Sequence, residues 1–465
     1  LTAGRELAGQ GLGVTLIEAD PVSVGGISRT VERGGFRFDI GGHRFFTKAH
    51  EVQRIWKEIL GEDFLERPRK SRILYRGKFF AYPLEPWDAL VKLGPMAACQ
   101  CVTSWLVAQA RPIQPEESYR DWVSNRFGRR LFETFFQTYT EKVWGLKCED
   151  ISADWAAQRI RNLSLVTALT DAFLRPTTAS AKSLIRTFHY PRLGPGQLWE
   201  RAAAQIRERG GSIHMGRTVR RIEREGMRVT HVAGTSADGS WSEAGGAFIS
   251  TIPLRDLIEG MSPAAPDEVL RAAGCLRYRD FLTVCLIVEH PQLFDDTWLY
   301  VHDPAVRVGR VQNFKNWSPD LVPDASKTSL GMEYFCFEGD GLWNAADEDL
   351  AALAESEARS IGLIPADTRV FHAEVVRMPK AYPVYDKAYA HSVRVVREWL
   401  KTFENLMPAG RNGLHRYNNQ DHSMLTGLSA ARSLAQGTDE DVWTVNSDAE
   451  YLEEHAKNRP HSANT

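Results

Sequence analysis

"LTAGRELAGQGLGVTLIEADPVSVGGISRT", residues Leu1 to Thr30, decides the fold. Small and apolar residues recur at helical spacing from Leu1 to Gln10, Gly11 and Gly13 stop the helix, and "VTLIEAD" reads as a buried strand ending in acids. Helix, then strand, then acid is the latter half of a βαβ unit. In dinucleotide-binding folds an acid here accepts hydrogen bonds from ribose hydroxyls, and the pyrophosphate rests on the N-terminus of the preceding helix. Glu18 is therefore placed for a ribose. The strand and G-x-G-x-x-G loop that belong ahead of the helix are expected to be missing from the chain, roughly ten or more residues. Seven residues beyond Glu18, "VGGISRT" supplies Gly25, Gly26 and Arg29, whose amides and guanidinium suit phosphate oxygens.

The rest of the chain must be read around that start. At 465 residues it is long enough for two or three lobes. Lys+Arg 57 against Asp+Glu 59 leaves a net charge of -2, which excludes a generally basic nucleic-acid binder and confines any anion site to a local pocket. The six cysteines form no Cys-x-x-Cys pair and no metal spacing with histidine, so reduced thiols, no metal and a cytoplasmic setting are expected. No charged-then-apolar leader opens the chain. Leu90 to Ala110 is the most apolar long stretch, but Lys92, Gly94, Pro95 and Gln100 make it a buried or surface-docked helix rather than a membrane span, with peripheral membrane contact the lesser expectation.

"FRFDIGGHRFFTK", Phe36 to Lys48, alternates Phe36, Phe38 and Ile40 as a strand does. Gly41 and Gly42 then let backbone pass close to a flat ligand before His43. "SRILYRGKFFAYPL" predicts a hairpin turning at Arg76 to Lys78. Helical periodicity dominates from about Trp87 to Arg186, and strand-like runs such as "FLTVCLIVEH", "TWLYVHD", "VGRVQNFKN" and "SLGMEYFCFEG" predict an antiparallel sheet with a helix at "DEDLAALAESEARSIGL". A loop enters a last helix near Ser423, and the tail from Tyr451 is expected to be disordered.

The run of acid, glycine pair and Gly-Gly-His resembles the FAD-binding start of the flavin amine oxidase superfamily, and four further segments resemble UDP-galactopyranose mutase within it. These are "YTEKVWGLKCEDI" with the nearby "QRIRNLSL", "VGRVQNFKNWSP", "KAYPVYD" and "GRNGLHRYNNQD". The resemblance implies FAD as cofactor and an α/β fold: a discontinuous Rossmann-type FAD-binding domain (1–64, 187–255, 396–450), a hairpin (65–85) and antiparallel sheet (256–395) forming a substrate domain, a helical lobe (86–186) and a tail (451–465). It places Glu18, Gly25, Gly26, Arg29, Gly41, Gly42, His43, Val219, Thr251, Gly410, Arg411 and Asn419 at the cofactor. It places Trp144, Arg159, Arg161, Arg310, Tyr382 and Tyr417 at the substrate, with His43, Trp144, Arg310, Tyr382 and Tyr417 as the catalytic set.

Chemistry gives reasons for that set. A nucleotide diphosphate can be held without a metal by arginines from opposite lobes, with phenols as neutral donors and Trp144 as a flat apolar face. The implied reaction is a redox-neutral change of sugar ring size with reduced flavin. Taken singly, Trp144 would be a core residue, His43 a structural histidine and the arginines surface charges; the ordered series favours the site. The sequence departs from the mutase pattern at Phe46, His415 and Asn419, beside flavin and sugar. An oxidoreductase of the amine oxidase, protoporphyrinogen oxidase or desaturase type is the alternative, and a non-catalytic flavin-fold protein a third.

Overall fold

Period-two alternation along several long strands builds the platform on which the site rests. A seven-stranded sheet runs in the order Val370–Pro383, Tyr278–Val288, Thr328–Cys336, Arg310–Asn313, Trp298–Val301, Ser71–Tyr75, Lys78–Ala81. The computed structural model describes residues 1–82, 84–153, 187–438 and 440–445. Register sorts the side chains to two faces. Leu282, Val284, Leu286, Leu299, Val311, Leu330, Met332 and Tyr334 pack together on one, against Leu350, Ala354 and Ala358 of the helix Asp347–Ser360. Those three are spaced by four, the stripe a helix needs to cover a sheet. The opposite face carries Phe281, Thr283, Glu333, Phe335, Arg310, Gln312, Trp298 and Tyr300, because Thr283 faces Glu333, Glu333 faces Arg310 and Arg310 faces Tyr300 across successive strands.

The second unit is a mixed α/β arrangement. Thr15–Ile17 pairs in parallel with Ser212–His214, and Phe248–Ser250 in parallel with Leu406–Pro408. Parallel partners so far apart in sequence need crossovers, and helices Thr2–Gly9, Gly196–Glu208 and Gln420–Gln436 pack beside them. Gly4 permits the closeness: a Cβ there would sit 2.8 Å from Leu16. The helical lobe, Tyr119–Phe127 through Thr138–Trp144, joins Ile73, Phe80, Phe281, Phe335 and Tyr382 in one core and so closes over the site face of the sheet.

Several expectations need correction. The large sheet is not purely antiparallel, since Trp298–Val301 runs parallel to Ser71–Tyr75 and thereby recruits the early hairpin. Its edge strand Val370–Pro383 had no clear alternation to announce it. The last helix starts at Gln420, not Ser423, with Asn419 as its N-cap. The Leu90 to Ala110 stretch breaks at Gly94 into Pro86–Leu93 and Pro95–Ala110, and the second helix bares Met96, Leu106 and Val107. Among the described residues no helix is long and apolar enough to cross a membrane, and no cluster of residues could hold a metal ion. The tail falls outside the described residues.

Glu357 ties the covering helix to the loop ahead of Arg310. Its carboxylate accepts from the Arg307 amide (2.7 Å), the Val308 amide (2.9 Å) and the Tyr334 hydroxyl (3.1 Å). Glu357→Ala leaves these donors unmatched in a largely dry layer and is expected to cost about 3 kcal/mol, read from urea unfolding. A loss below about 0.5 kcal/mol, the size of an ordinary surface substitution, would refute this role.

Candidate functional site

The site is assembled from the sheet face, the helical lobe and the stretch Gly410 to Asp421. Glu333 is fully buried on its strand, and its carboxylate accepts from the Arg310 guanidinium on one side and from the Gln312 amide at 2.7 Å on the other. Arg310 in turn donates to the Tyr382 hydroxyl at 3.0 Å. The Tyr382 ring stacks on Tyr417, with centroids 5.5 Å apart and planes 12° from parallel, and the Arg411 guanidinium lies 5.4 and 5.0 Å from the two rings. Trp144 ends the helix Thr138–Trp144 and meets the edges of Tyr382 and Tyr385 at 6.5 and 6.3 Å. Five predicted substrate-side or flavin-side residues (Trp144, Arg310, Tyr382, Arg411, Tyr417) therefore form one contact network. Arg159 and Arg161 lie outside the described residues.

The glycine pair reaches this network from the other unit. Asp39 ends the strand Phe36–Asp39, and Gly41 and Gly42 follow as it crosses the sheet. Gly41 has φ +92, and a Cβ on Gly42 would meet the Gln312 amide at 2.9 Å, so any side chain there would dislodge Gln312 from the sheet face. His43 faces Arg411 and Arg310; burial first, then these two charges, push its pKa down to about 3, so it is a neutral imidazole at ordinary pH. Burial raises the Tyr382 phenol as well, against the pull of Arg310, so it remains a neutral donor. Burial lowers Arg310, but Glu333 and the nearby phenols outweigh that, and it stays charged.

The remaining predicted cofactor residues form a track on the α/β unit. Glu18 caps the strand Thr15–Ile17, its carboxylate accepting from the Asp20 amide at 2.9 Å, and burial raises its pKa. Gly25, at φ +105, lies against the Trp199 ring, where a Cβ would stand 2.7 Å from it. Gly26 begins the short turn closed by Arg29, which also pairs with Asp20 at 3.5 Å. Ser28 in that turn accepts from Trp199 (2.8 Å) and from Gln420 of the last helix. Thr251 follows the strand Phe248–Ser250 and lies near Gly410, where an added Cβ would be 3.8 Å from its methyl, and the Gly410 amide donates to Thr426 at 2.9 Å. Val219 lies on the strand Thr218–Glu225, at the margin of the core behind this track. Asn419 serves as the N-cap of Gln420–Gln436, and His422 accepts its amide at 3.3 Å.

Sequence reading missed Gln312, Glu333, Arg44, Arg69, Tyr139 and Tyr300. Glu333 had one usable signal, a lone acid inside the apolar run "SLGMEYFCF". A charge placed there must be paired. A separate groove of about 630 Å³ between the helices Pro95–Ala110 and Tyr119–Phe127, flanked by Arg111, Arg129 and Glu133, contains none of the predicted site residues.

Does a flavin fit? Gly25 and Gly42 keep backbone bare where a Cβ would collide, and the buried atoms Gln312 Oε1, Asn412 Oδ1, Gln420 Oε1 and Ser250 Oγ have no hydrogen-bond partner within the chain. Polar atoms of this kind, spread along a glycine-lined track, suit a long ligand rich in donors and acceptors. Fold and site together define a nucleotide-cofactor flavoprotein. Residues 1–390 match the family of flavin-containing amine oxidoreductases, and the chain belongs to it; its cofactor is FAD. A protein of Mycobacterium tuberculosis named as a flavin-containing monoamine oxidase is 24% identical over 286 residues, spanning 59% of this chain and 59% of its own length. The fold is similar to that of reduced UDP-galactopyranose mutase (TM-score 0.82, 19% identity, 96% and 95% of the two chains covered). It is also similar to that of cyclohexylamine oxidase from Brevibacterium oxydans (TM-score 0.61, 13% identity, 94% and 97% covered).

Asp39 supplies a pH test of this geometry. It is fully buried, bonded by the Tyr190 hydroxyl at 2.8 Å, and burial pushes its pKa from 3.8 up to about 8. The folded state thus keeps a proton that the unfolded state releases. This contribution is complete below pH 3.8 and is lost as pH rises toward 8. Asp39→Asn keeps both hydrogen-bonding directions, and its stability is expected to fall less than wild type between about pH 5 and pH 8, by up to roughly 1.4 kcal/mol per pH unit. Parallel urea titrations of the two proteins at these pH values would measure it; superimposable slopes would show that Asp39 is ionised.

Proposed function

We propose that this protein is an FAD-dependent enzyme that takes an anionic glycosyl substrate, of the nucleotide-diphosphate sugar class, and rearranges it without net oxidation while the flavin is reduced. The observation that carries this reading is the Arg310, Tyr382, Tyr417, Arg411 and Trp144 network, drawn from four separate stretches of chain onto one face of the sheet. When bound, the flavin supplies an electron-rich centre for chemistry at the anomeric carbon. Glu18, Gly25, Gly26, Arg29, Val219 and Thr251 would hold its nucleotide half in a discontinuous Rossmann-type domain, with Gly41, Gly42, His43, Gly410, Arg411 and Asn419 around the ring end.

The chain's own groups then have distinct duties. Trp144 and the tyrosine stack exclude water and present flat faces to a sugar. Tyr382, kept a phenol by burial, and Tyr417 donate to a leaving diphosphate, and Arg411 adds a charge whose own bonds are to the neutral carbonyls of Asn418 and Ala381. His43, uncharged, can accept or donate a hydrogen bond without repelling a developing cation at the sugar.

A second reading is removal of hydride from a neutral substrate by oxidised FAD, and Glu333 favours it: its carboxylate already neutralises Arg310. One experiment separates the two. Dithionite-reduced enzyme should interconvert ring forms of nucleotide sugars, whereas oxidation would show as substrate-dependent flavin bleaching with peroxide formed under air. Under the first reading Tyr417→Phe is expected to raise KM for the nucleotide sugar about tenfold, the worth of one hydrogen bond to a charged group. An inert reduced enzyme across a panel of such sugars would sink it.

A further inference from the structure

The helix Pro95–Ala110 has no charged side chain in sixteen residues, yet of these Cys101 alone is buried. An apolar helix normally turns its aliphatic stripe to the core. Here Met96, Cys99, Val102 and Leu106, spaced by three, three and four, share one face with Val107, and that face looks outward. Met96 is 74% exposed, Leu106 54% and Val107 57%. Val91 on the preceding helix and Ile113 on the following loop are exposed too and lengthen the ridge.

Polar and backbone contacts hold this helix to the lobe. Gly128, at φ +81, lets the two chains approach so closely that a Cβ there would stand 2.6 Å from the Trp105 amide nitrogen. The Ser104 hydroxyl accepts from the Arg130 amide at 3.0 Å, and the Gln109 side chain donates to the Asn125 carbonyl at 2.8 Å. The inner side thus makes the polar bonds and the aliphatic side chains are left outside. Beside the C-terminal half of the ridge runs the groove of about 630 Å³, lined by Arg111, Arg129 and Arg130 with Glu133 as its one acid. Glu133 pairs with Arg129 at 2.8 Å and lies 4.0 Å from Arg130. One carboxylate does not neutralise three guanidiniums, so the groove is locally cationic although the whole chain carries a net charge of -2.

An exposed apolar patch of this kind marks a protein or a lipid partner. Two features select the lipid. A ridge with one buried residue is convex and fits a fluid surface that has no shape of its own, whereas a protein partner must bring a matching cleft. Cations along the edge of the ridge stand where anionic headgroups lie once aliphatic side chains enter the acyl boundary. We propose that Pro95–Ala110 docks the protein on the surface of an anionic bilayer, with Met96, Val102, Leu106 and Val107 in the lipid and Arg111, Arg129 and Arg130 at its phosphates. At about 24 Å the helix is shorter than a hydrocarbon core of roughly 30 Å, so it lies along the membrane and does not cross it. The proposal is independent of the reaction proposed above, since none of these residues belongs to the Arg310 network.

Flotation of the FAD-loaded protein with vesicles of phosphatidylcholine, with and without phosphatidylglycerol, tests it. The protein should rise with the phosphatidylglycerol vesicles and be released by salt. Leu106→Ser with Val107→Ser, and Arg111→Gln with Arg129→Gln, should each lower partitioning at least about tenfold. Arg228→Gln, which removes an exposed cation paired with Glu404 elsewhere on the molecule, should leave it unchanged. Cys99 on the ridge and Cys275 away from it are both exposed, so each can carry an environment-sensitive fluorophore. The label on Cys99, in Cys275→Ser, should shift to the blue when vesicles are added, and the label on Cys275, in Cys99→Ser, should not. Absence of flotation, equal flotation on phosphatidylcholine alone, full partitioning of either double variant, equal loss in Arg228→Gln or an unshifted Cys99 label would each overturn the proposal. A doubled mass in light scattering without lipid, accompanied by the Cys99 shift, would overturn it in favour of a second copy of this chain. Should a double variant misfold, the Cys99 label decides.

Discussion

The ion pair between Arg310 and Glu333 is the constraint from which the site's geometry follows. A carboxylate with no exposed surface, on a central strand, must be matched in charge and in hydrogen bonds. Arg310 and Gln312 do this from one neighbouring strand, two residues apart and so on the same face. Such a pair contributes little net stability, since desolvation offsets attraction, but losing one partner typically costs about 3–5 kcal/mol. What it secures is position. With Arg310 fixed, the Tyr382 hydroxyl has a set partner, Tyr417 has a surface to stack on, and Arg411 has two rings to lie over. With Gln312 fixed, the backbone at Gly42 has a floor.

That pair could not exist on a sheet with two identical faces. Burying Glu333 is tolerable because the reverse side of the same strands is a dry layer under Asp347–Ser360, which carries the hydrophobic gain for the whole sheet. The site face is then free to hold polar side chains, provided they satisfy one another. Thr283, Glu333, Arg310 and Tyr300 stand in a row across four strands, which is a consequence of register alone.

This explains what could be read in the sequence and what could not. The helix and strand around Glu18, the hairpin at Arg76 to Lys78 and the helix over Asp347–Ser360 are local patterns, each set by periodicity or turn residues within a dozen positions, and each is present. Trp144, Tyr382 and Tyr417 were legible through short motifs, and their rings do meet. Arg44 and Arg69 were invisible because their shared feature is Trp298, more than two hundred residues away, on a strand whose parallel pairing to Ser71–Tyr75 no local signal announces. Asn419 is a different case. Its departure from the resembled pattern puts the identity of the sugar in question, and its place at the head of Gln420–Gln436 is one that Asn and Asp fill about equally well.

Charge on the sheet face is held in check by the groups around it. At the inner end burial, with Arg411 and Arg310, keeps His43 neutral, burial keeps Tyr382 a phenol, and Glu333 pairs with Arg310. Arg44 and Arg69 lie over aromatic faces, Arg44 on Trp298 and Arg69 on Trp298 and Tyr82. A guanidinium flanked by rings and a carboxylate matched by two strand neighbours are both ways of keeping charge in a partly dry layer, and both follow from which side chains register brings to one face of the seven strands.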